Sequence, residues 1–427
     1  RITLSRHNQK EEIKSLVEAM EYHFPKALEE SDNSQNKVMK AFGIHERNRP
    51  EENLKKETTL LLQYETTIQK IGKQNWNELL GKQSTFDWEG LSFLENAFIN
   101  SDYPENSWDF HYYIIKDQSG IPVLATFFTY GLWKDDMLAS ESISLQLEEK
   151  RILNPLYLTS KVLGMGSLFT EGNHCYINKV HPLAEEAIML LLEKVETLYH
   201  QLDADMLVLR DFEEDEQWNR IFHNHGFLKI NMPETCIIQN MKWNSIEEFS
   251  ASLSPRSRKH FLKEVLPFEQ AFDIVIKNKL TNEELEQAYK LYQNVKDNNH
   301  AINTFTYPIE VFQKMEDHSQ WEFILLYLKK GASNPLVGTM FCYKNTEQTY
   351  APALIGMDYD YAKEFHLYRQ LLFQTIKRAR ELNWSKIDFG FSATFEKRKL
   401  GATIIPKVAY IQARDNFSME LMGTLQN

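Results

Sequence analysis

The sequence predicts an α+β fold of two similar halves in tandem, each a mixed central sheet covered by helices, behind an N-terminal strand–helix extension. Two observations predict it. Strand-like runs precede one long amphipathic helix, a further strand, a Gly-bearing turn and a last strand, and this order occurs twice. Asp211-Phe212 and Asp388-Phe389 stand 177 residues apart, and Gly226 and Gly401 stand 175 apart, the spacing an internal duplication leaves.

Residues 1–5 alternate as a short strand, Arg6-His7-Asn8 turn, and Gln9 to Tyr22 carry Ile13, Leu16, Val17 and Met20 at helical spacing. Glu11 and Glu12 sit in the first turn, where the helix dipole favours acids. One strand and one helix cannot enclose a core, and the polar run 32–36 breaks the pattern as a linker does. Thr59–Tyr64 is strand-like, and Trp76–Leu80 begins a helical stretch. Phe110–Ile115 and Pro122–Phe128 make two strands around the turn Asp117-Gln118-Ser119-Gly120. Pro182 opens a helix through Leu183, Ala187, Leu191, Val195 and Leu198, with Pro at a tolerated first-turn position. Met206–Leu209 and Thr235–Gln239 are strands. The second half offers strands at Trp321–Leu328, Leu336–Tyr343 and Thr349–Met357, then a helix with Phe365, Tyr368, Leu372, Ile376 and Ala379 on one face. Strands Lys386–Phe389 and Thr403–Ile411 close it. The expected division is 1–31, a helical linker over 32–56, a first half over 57–247 and a second over 248–427.

The chain has 427 residues, 42% hydrophobic and 12% aromatic, which excludes a disordered chain and predicts two or three domains. The formal net charge is −12, which disfavours a general wrap around nucleic acid but not a local basic groove. Cys175, Cys236 and Cys342 are the only cysteines, widely spaced, so a disulfide framework and a CxxC metal site are both excluded. A reducing, cytoplasmic compartment is expected, with or without peripheral contact to a membrane. No run reaches the ~18 apolar residues of a spanning helix. Residue 1 is Arg rather than Met, which predicts a piece of a longer chain.

Two resemblances follow from these residues. The opening resembles the last strand and helix of fold-type-I, pyridoxal-phosphate-dependent enzymes of the aminotransferase class V branch. Arg1, Asn8, Glu11, Glu12 and Ile13 match that ending, while Thr3, His7 and Gln9 depart from it. The resemblance implies that residues 1–31 are the tail of such a domain, a possible partner within a full-length chain. The Schiff-base lysine would lie upstream, so PLP is not expected in this chain. The alternative is an ordinary strand–helix start.

The second resemblance is to the FemABX-like branch of the GCN5-related N-acyltransferases (GNATs), and it spans roughly 57–420. Its carriers are Trp76 and Leu79, then Trp243, Phe249, Leu253 and Ser254 followed by Arg256, Arg258 and Lys259. Gly356, Asp388-Phe389-Gly390, and Lys397, Leu400, Gly401 and Ala402 complete the set, with Glu396 where an aromatic is usual. The resemblance implies two tandem GNAT-like domains and transfer of an acyl group from a thioester, or from an aminoacyl ester, to an amine. It places Leu354 to Asp358 at the splayed strand that binds the thioester carbonyl, with Gly356 and Met357 against the donor.

Such transfer needs a proton acceptor and backbone N–H groups at the oxyanion, and no metal. Asp358 could accept the amine proton and Tyr359 or Tyr361 protonate the leaving thiolate; the alternative for Asp358 is a helix-terminal acid. His366 is a second base candidate, or an exposed helix residue. Asp388 is either part of the site or a turn cap. Lys397, Arg398 and Lys399, on the loop before Gly401, could bind donor phosphates or face solvent. Lys377, Arg378 and Arg380 are expected on a solvated helix face. Arg256, Arg258 and Lys259 follow the cap Ser254 and Pro255; cations at a helix N-terminus oppose the dipole, which suggests an anionic substrate there, or only a solvated turn. His174, His181, His223 and His225 are expected to be structural or at the surface. Leu163-Gly164-Met165-Gly166-Ser167 is Gly-rich, but no helix pattern follows to make a phosphate cradle.

The second half is the expected catalytic one, because Glu213, Glu214, Asp215 and Glu216 in the first would repel an anionic donor. The expected function is N-acyl transfer from acyl-CoA or an acyl carrier protein, as co-substrate, to the amine of an amino acid or aminolipid. One alternative is an aminoacyl-tRNA-dependent peptide-extending ligase, the only reading that calls for nucleic acid. Another is a non-catalytic binding module for a PLP enzyme.

Overall fold

The computed structural model describes residues 59–300, 302–329 and 334–414. The expectations for 1–31 and 32–56 lie outside the described residues. Strands β1 (Leu60–Glu65), β2 (Asp109–Asp117), β3 (Pro122–Lys134), β4 (Thr159–Met165), β5 (Cys175–Ile177), β6 (Met206–Phe212) and β7 (Leu228–Gln239) come from the first half. Strands β8 (Phe272–Lys277), β9 (Trp321–Leu328), β10 (Leu336–Asn345), β11 (Thr349–Met357), β12 (Lys386–Asp388) and β13 (Thr403–Ala413) come from the second. The expected strands at 321–328 and 349–357 agree to the residue, because each alternates or runs apolar between clear turn signals.

All thirteen strands form one sheet, in the order β1-β2-β3-β4-β6-β13-β7-β12-β11-β10-β9-β8, with β5 pairing β3. The last strands of the two halves are exchanged. β13 runs antiparallel to β6, and β7 antiparallel to β12, while β7 and β13 pair with each other over most of their length.

The helices are α1 (Lys73–Trp76), α2 (Trp88–Phe98), α3 (Glu141–Arg151), α4 (Ala184–Gln201), α5 (Glu216–Asn224), α6 (Ile246–Ser252), α7 (Pro255–Glu264), α8 (Asn282–Asn298), α9 (Ile309–Glu316), α10 (Tyr359–Ala362), α11 (Leu367–Glu381) and α12 (Thr394–Lys399). Their ends follow capping rules. Thr281 and Glu284 form a capping box at α8, and Ser254 accepts the Ser257 N–H at α7. The expected helix from Pro182 begins two residues later, at Ala184.

One core joins the halves: Trp76, Phe86, Phe93 and Phe98 pack with Trp321, Phe323, Phe341 and Tyr343. Polar bonds fix the same seam. Asp87 accepts from the Tyr343 hydroxyl at 2.6 Å and from the Thr346 N–H at 2.9 Å, and the Asn345 amide donates to the Gly81 and Ser84 carbonyls. Among the described residues no helix is long and apolar enough to cross a membrane.

Gly356 lies in β11 under α8. A Cβ there would sit 2.7 Å from Tyr292 N and 2.8 Å from Leu291 C, both backbone atoms that cannot swing aside. Gly356→Ala is therefore expected to cost about 1–3 kcal/mol, read as a lower urea midpoint, by lifting α8 off the sheet.

Candidate active site

The second half opens where β11 and β12 part. They pair in parallel only at Thr349↔Lys386 and Tyr350↔Ile387, and then separate. Beyond Tyr350 the alternate backbone N–H groups of β11 that face away from β10 have no strand to receive them. A bulge opposite Phe341/Cys342, where Leu354 and Pro352 are the partners, leaves Ala353 as the extra residue inside this opening. A cavity of about 410 Å³ fills it, bounded on one side by Ala351 to Ile355 and on the other by Asp388 to Ala393.

The first half has the same split, but it is laced shut. β4 and β6 pair at three positions ending at Gly164↔Val208. The Arg210 guanidinium then crosses to the Ser167 carbonyl at 2.8 Å and the Thr170 carbonyl at 3.2 Å. Its Nε reaches Asp211 at 2.6 Å, Asp211 lies 3.0 Å from His174 Nδ1, and His174 Nε2 meets the Thr170 hydroxyl at 2.8 Å. Arg210, Asp211 and His174 are all buried, so His174 is structural. Three of the four first-half acids are also paired. Asp215 caps α5 and pairs with Lys179, Glu214 pairs with Lys229, and Glu213 lies 3.5 Å from Lys407.

Several polar groups converge on the open cavity. Glu171, in the loop after β4, reaches across from the first half; a Cβ on Gly390 would lie 3.2 Å from its Oε1. Its Oε2 is buried without a hydrogen-bond partner. Burial pushes this carboxyl well above the usual range; Arg210 pulls it down, and Asp211 and Asp388 raise it further. Lys296, on α8, donates to the carbonyl and hydroxyl of Thr304, both at 2.9 Å, and burial lowers its amine to about 7. Tyr292 and Tyr307 stand beside it, and the Tyr307 N–H donates to the Tyr292 hydroxyl at 3.0 Å.

The structure distributes the sequence-derived candidates unevenly. Asp388 lines the cavity: its Oδ1 accepts the Gly390 N–H at 3.1 Å, a turn-capping bond, and its Oδ2 lies 3.2 Å from Lys386 Nζ. Met357 also lines it, whereas Gly356 is occupied with α8. Lys397 is buried on the short helix α12 rather than on a loop, and its amine donates to the Phe389 and Phe391 carbonyls, both at 2.8 Å. It braces the cavity wall instead of presenting charge to a phosphate. Arg398 is exposed, and Lys399 lies over the Phe395 ring.

Asp358, Tyr359, Tyr361 and His366 lie outside the cavity. Asp358 caps α10 by accepting the Asp360 N–H, the helix-terminal alternative. Tyr359 is exposed. His366 precedes α11 with left-handed backbone, and its Nδ1 accepts from Arg369 at 2.8 Å. Arg258 resolves its own misfit with the helix dipole: it donates to the Ser250 and Ala251 carbonyls at the end of α6. Arg256 and Lys259 are exposed. The expected solvated face of α11 is instead paired. Lys377 meets Glu269, Arg378 meets the buried Glu322, and Arg380 donates to the Trp243 carbonyl.

No family profile matches the sequence. The structure aligns with FemX over 86% of this chain and 100% of that one, at TM-score 0.53 and 11% identity. The described halves form a tandem GNAT-like fold. L-PGS from Bacillus licheniformis aligns over 84% of this chain and 98% of its own, at TM-score 0.46 and 9% identity. In sequence, a 269-residue match covers 60% of this chain, is 24% identical and reaches a Mycobacterium tuberculosis protein named "Putative 8-amino-7-oxononanoate synthase 2". It spans 34% of that protein, so the chain covers about a third of the length of the curated relatives it matches.

Proposed function

We propose that this chain is an N-acyltransferase that moves an acyl group from a thioester, carried by CoA or an acyl carrier protein, to the amine of an amino acid or aminolipid. The observation that carries the reading is the open split between β11 and β12 with Glu171 aimed into it. A thioester carbonyl laid along β11 meets unpaired strand N–H groups, which suit an oxyanion. A neutral amine attacks the carbonyl carbon, the C–N bond forms and the carbonyl π pair moves to oxygen. Glu171 takes the proton from the new ammonium. The C–S bond then breaks, and the thiolate leaves and gains a proton from Glu171 or water, giving an amide and a free thiol. Lys397 and Asp388 act as positioning residues that hold the 389–391 wall. The GNAT-like fold supports the reaction class, and the donor and amine are part of the proposal.

The reading of residues 1–31 as the end of a PLP-dependent domain also remains a proposal, carried by Arg1, Asn8, Glu11, Glu12 and Ile13. A fused transferase could then cap an amine that such a domain makes.

The test is donor-thiol release by the purified chain, with acyl-CoAs from acetyl to palmitoyl, each with and without a mixed amine pool, and products read by mass spectrometry. Amine-dependent release is expected. No release from any CoA or acyl carrier protein, with turnover of aminoacyl-tRNA instead, would replace this reading with the ligase. No turnover of any donor would leave the binding module.

A further inference from the structure

A second cavity, of about 180 Å³, lies next to the first. The two share Glu171, Lys296, Tyr307 and Phe391 in their linings, so they adjoin at the Glu171 end. The second cavity lies on the face of β6, β13 and β7 away from α4 and α5. The opposite face of β6 and β13 is covered by α4 and α5, with Leu207, Leu209, Val408 and Tyr410 in that core. On the cavity side Met206, Val208, Ile230, Met232 and Ile411 line the floor, with Trp133 beside them. The roof is the chain after β3 and the stretch holding Ile302 and Thr304, with Tyr292 and Lys296 of α8 also in the lining.

The polar groups of this cavity do not make it a polar site. Lys134 spends its amine on Glu148 at 2.7 Å and Asn303 at 3.1 Å. Arg210 is held by two carbonyls and Asp211. The remaining charged groups, Glu171 and Lys296, stand where the two cavities meet, and Asp135 is a carboxyl with a buried, unpartnered Oδ1. The space thus pairs an apolar floor with charged groups, Glu171 and Lys296, on the side of the first cavity, which suits a chain with one functional terminus.

We propose that this cavity binds an unbranched alkyl chain whose functional end lies at Glu171, so that one of the two substrates is long-chained: either the acyl group of the donor or the tail of an amphiphilic amine. The binding claim stands on the cavity alone, and the assignment to a substrate rests on the transferase reading.

The test has two arms. In the first, cis-parinaric acid, whose fluorescence rises when its chain leaves water, is titrated into the full chain and into Met232→Trp and Ile230→Phe, two cavity-floor substitutions on β7. Binding by the unaltered chain, weakened about tenfold in a variant that keeps its unfolding midpoint, is the expected result; displacing two methylenes accounts for that factor. No binding by the unaltered chain, or equal binding by both folded variants, overturns the proposal. In the second arm, palmitoyl and acetyl donors are compared with a short amine, and short and long amines with an acetyl donor. A preference for length in one series, lost in Met232→Trp, supports the proposal and identifies the long partner. Equal turnover of all lengths overturns it while the transferase reading stands. Chain binding without any transfer keeps the cavity and removes the transferase reading.

Discussion

Glu171→Gln is expected to lower amine-dependent thiol release by roughly 10²–10⁴-fold, the range for losing a positioned general base. Gln keeps the shape of the side chain and cannot take the ammonium proton. The donor should still bind, because the strand N–H groups of β11 and the 389–391 wall are untouched. The pH dependence separates this role from a structural one. Burial holds the Glu171 carboxyl well above the ordinary carboxylate range. Activity that depends on its charged form therefore rises as pH rises through that value, and this limb should vanish in the variant. Stability moves the other way. A carboxyl raised on folding favours the native state at low pH, and that contribution is lost as pH rises through the folded value. Glu171→Gln should thus match the parent in acid and equal or exceed it in alkali, while losing activity throughout. A variant that instead unfolds at a lower urea concentration at every pH would identify Glu171 as a structural group.

Why Glu171 escaped the sequence is a matter of topology. It sits between Thr170 and Gly172, in a short polar loop of the half that reads as the degenerate one. Nothing in its spacing links it to Asp388 or Gly390, which lie more than two hundred positions away. The link is made by the exchange of β7 and β13, which joins the halves into one sheet, and by the loop after β4, whose Glu171 meets Gly390 in the turn after β12. Strand exchange leaves no periodic mark, because β7 and β13 alternate in the same way whichever partner they choose. The strands themselves were legible, since 2-residue and 3.6-residue periods are local properties. So was the duplication, and its glycines serve the same purpose twice: Gly226 and Gly401 both have positive φ, at 84° and 95°.

Charge runs were the least legible feature. Lys397, Arg398 and Lys399 are adjacent in sequence, yet one is buried on carbonyls, one is exposed and one lies on an aromatic ring. Three successive residues on a helix point about 100° apart, so a basic triplet on α12 cannot form a single patch. Arg258 shows the same lesson from another direction. Its poor fit with the N-terminus of α7 was a sound signal of an unsatisfied neighbour, but the neighbour was the carbonyl end of α6 rather than a ligand.

The largest stability loss is expected from Arg151→Met. Arg151 is 4% exposed and Asp136 is 0% exposed, with 2.5 Å between them. Burial alone would push the Asp136 carboxyl up, but hydrogen bonds from Arg151 and Asn303 outweigh it and leave it below its usual value. Removing the arginine leaves a buried carboxylate without its cation, which costs about 3–5 kcal/mol. Asp136→Leu in the same chain should recover much of that loss, because the uncompensated charge goes with it. The same cluster contributes to the acid limit of the fold. Burial raises the Glu148 carboxyl, yet Lys134, Asn303 and Arg151 hold it down at about 2. A depressed folded value gives stability that is present above the unfolded value, near 4.5, and is lost as pH falls toward 2. Urea midpoints should therefore drop across that window, and drop less steeply in Arg151→Met. The cluster reaches function through Asn303, which donates to Asp136 at 2.8 Å and to Glu148 at 2.7 Å, and so ties the 302–304 stretch over the apolar cavity. Loosening that tie should weaken cis-parinaric acid binding at temperatures where Arg151→Met is still folded.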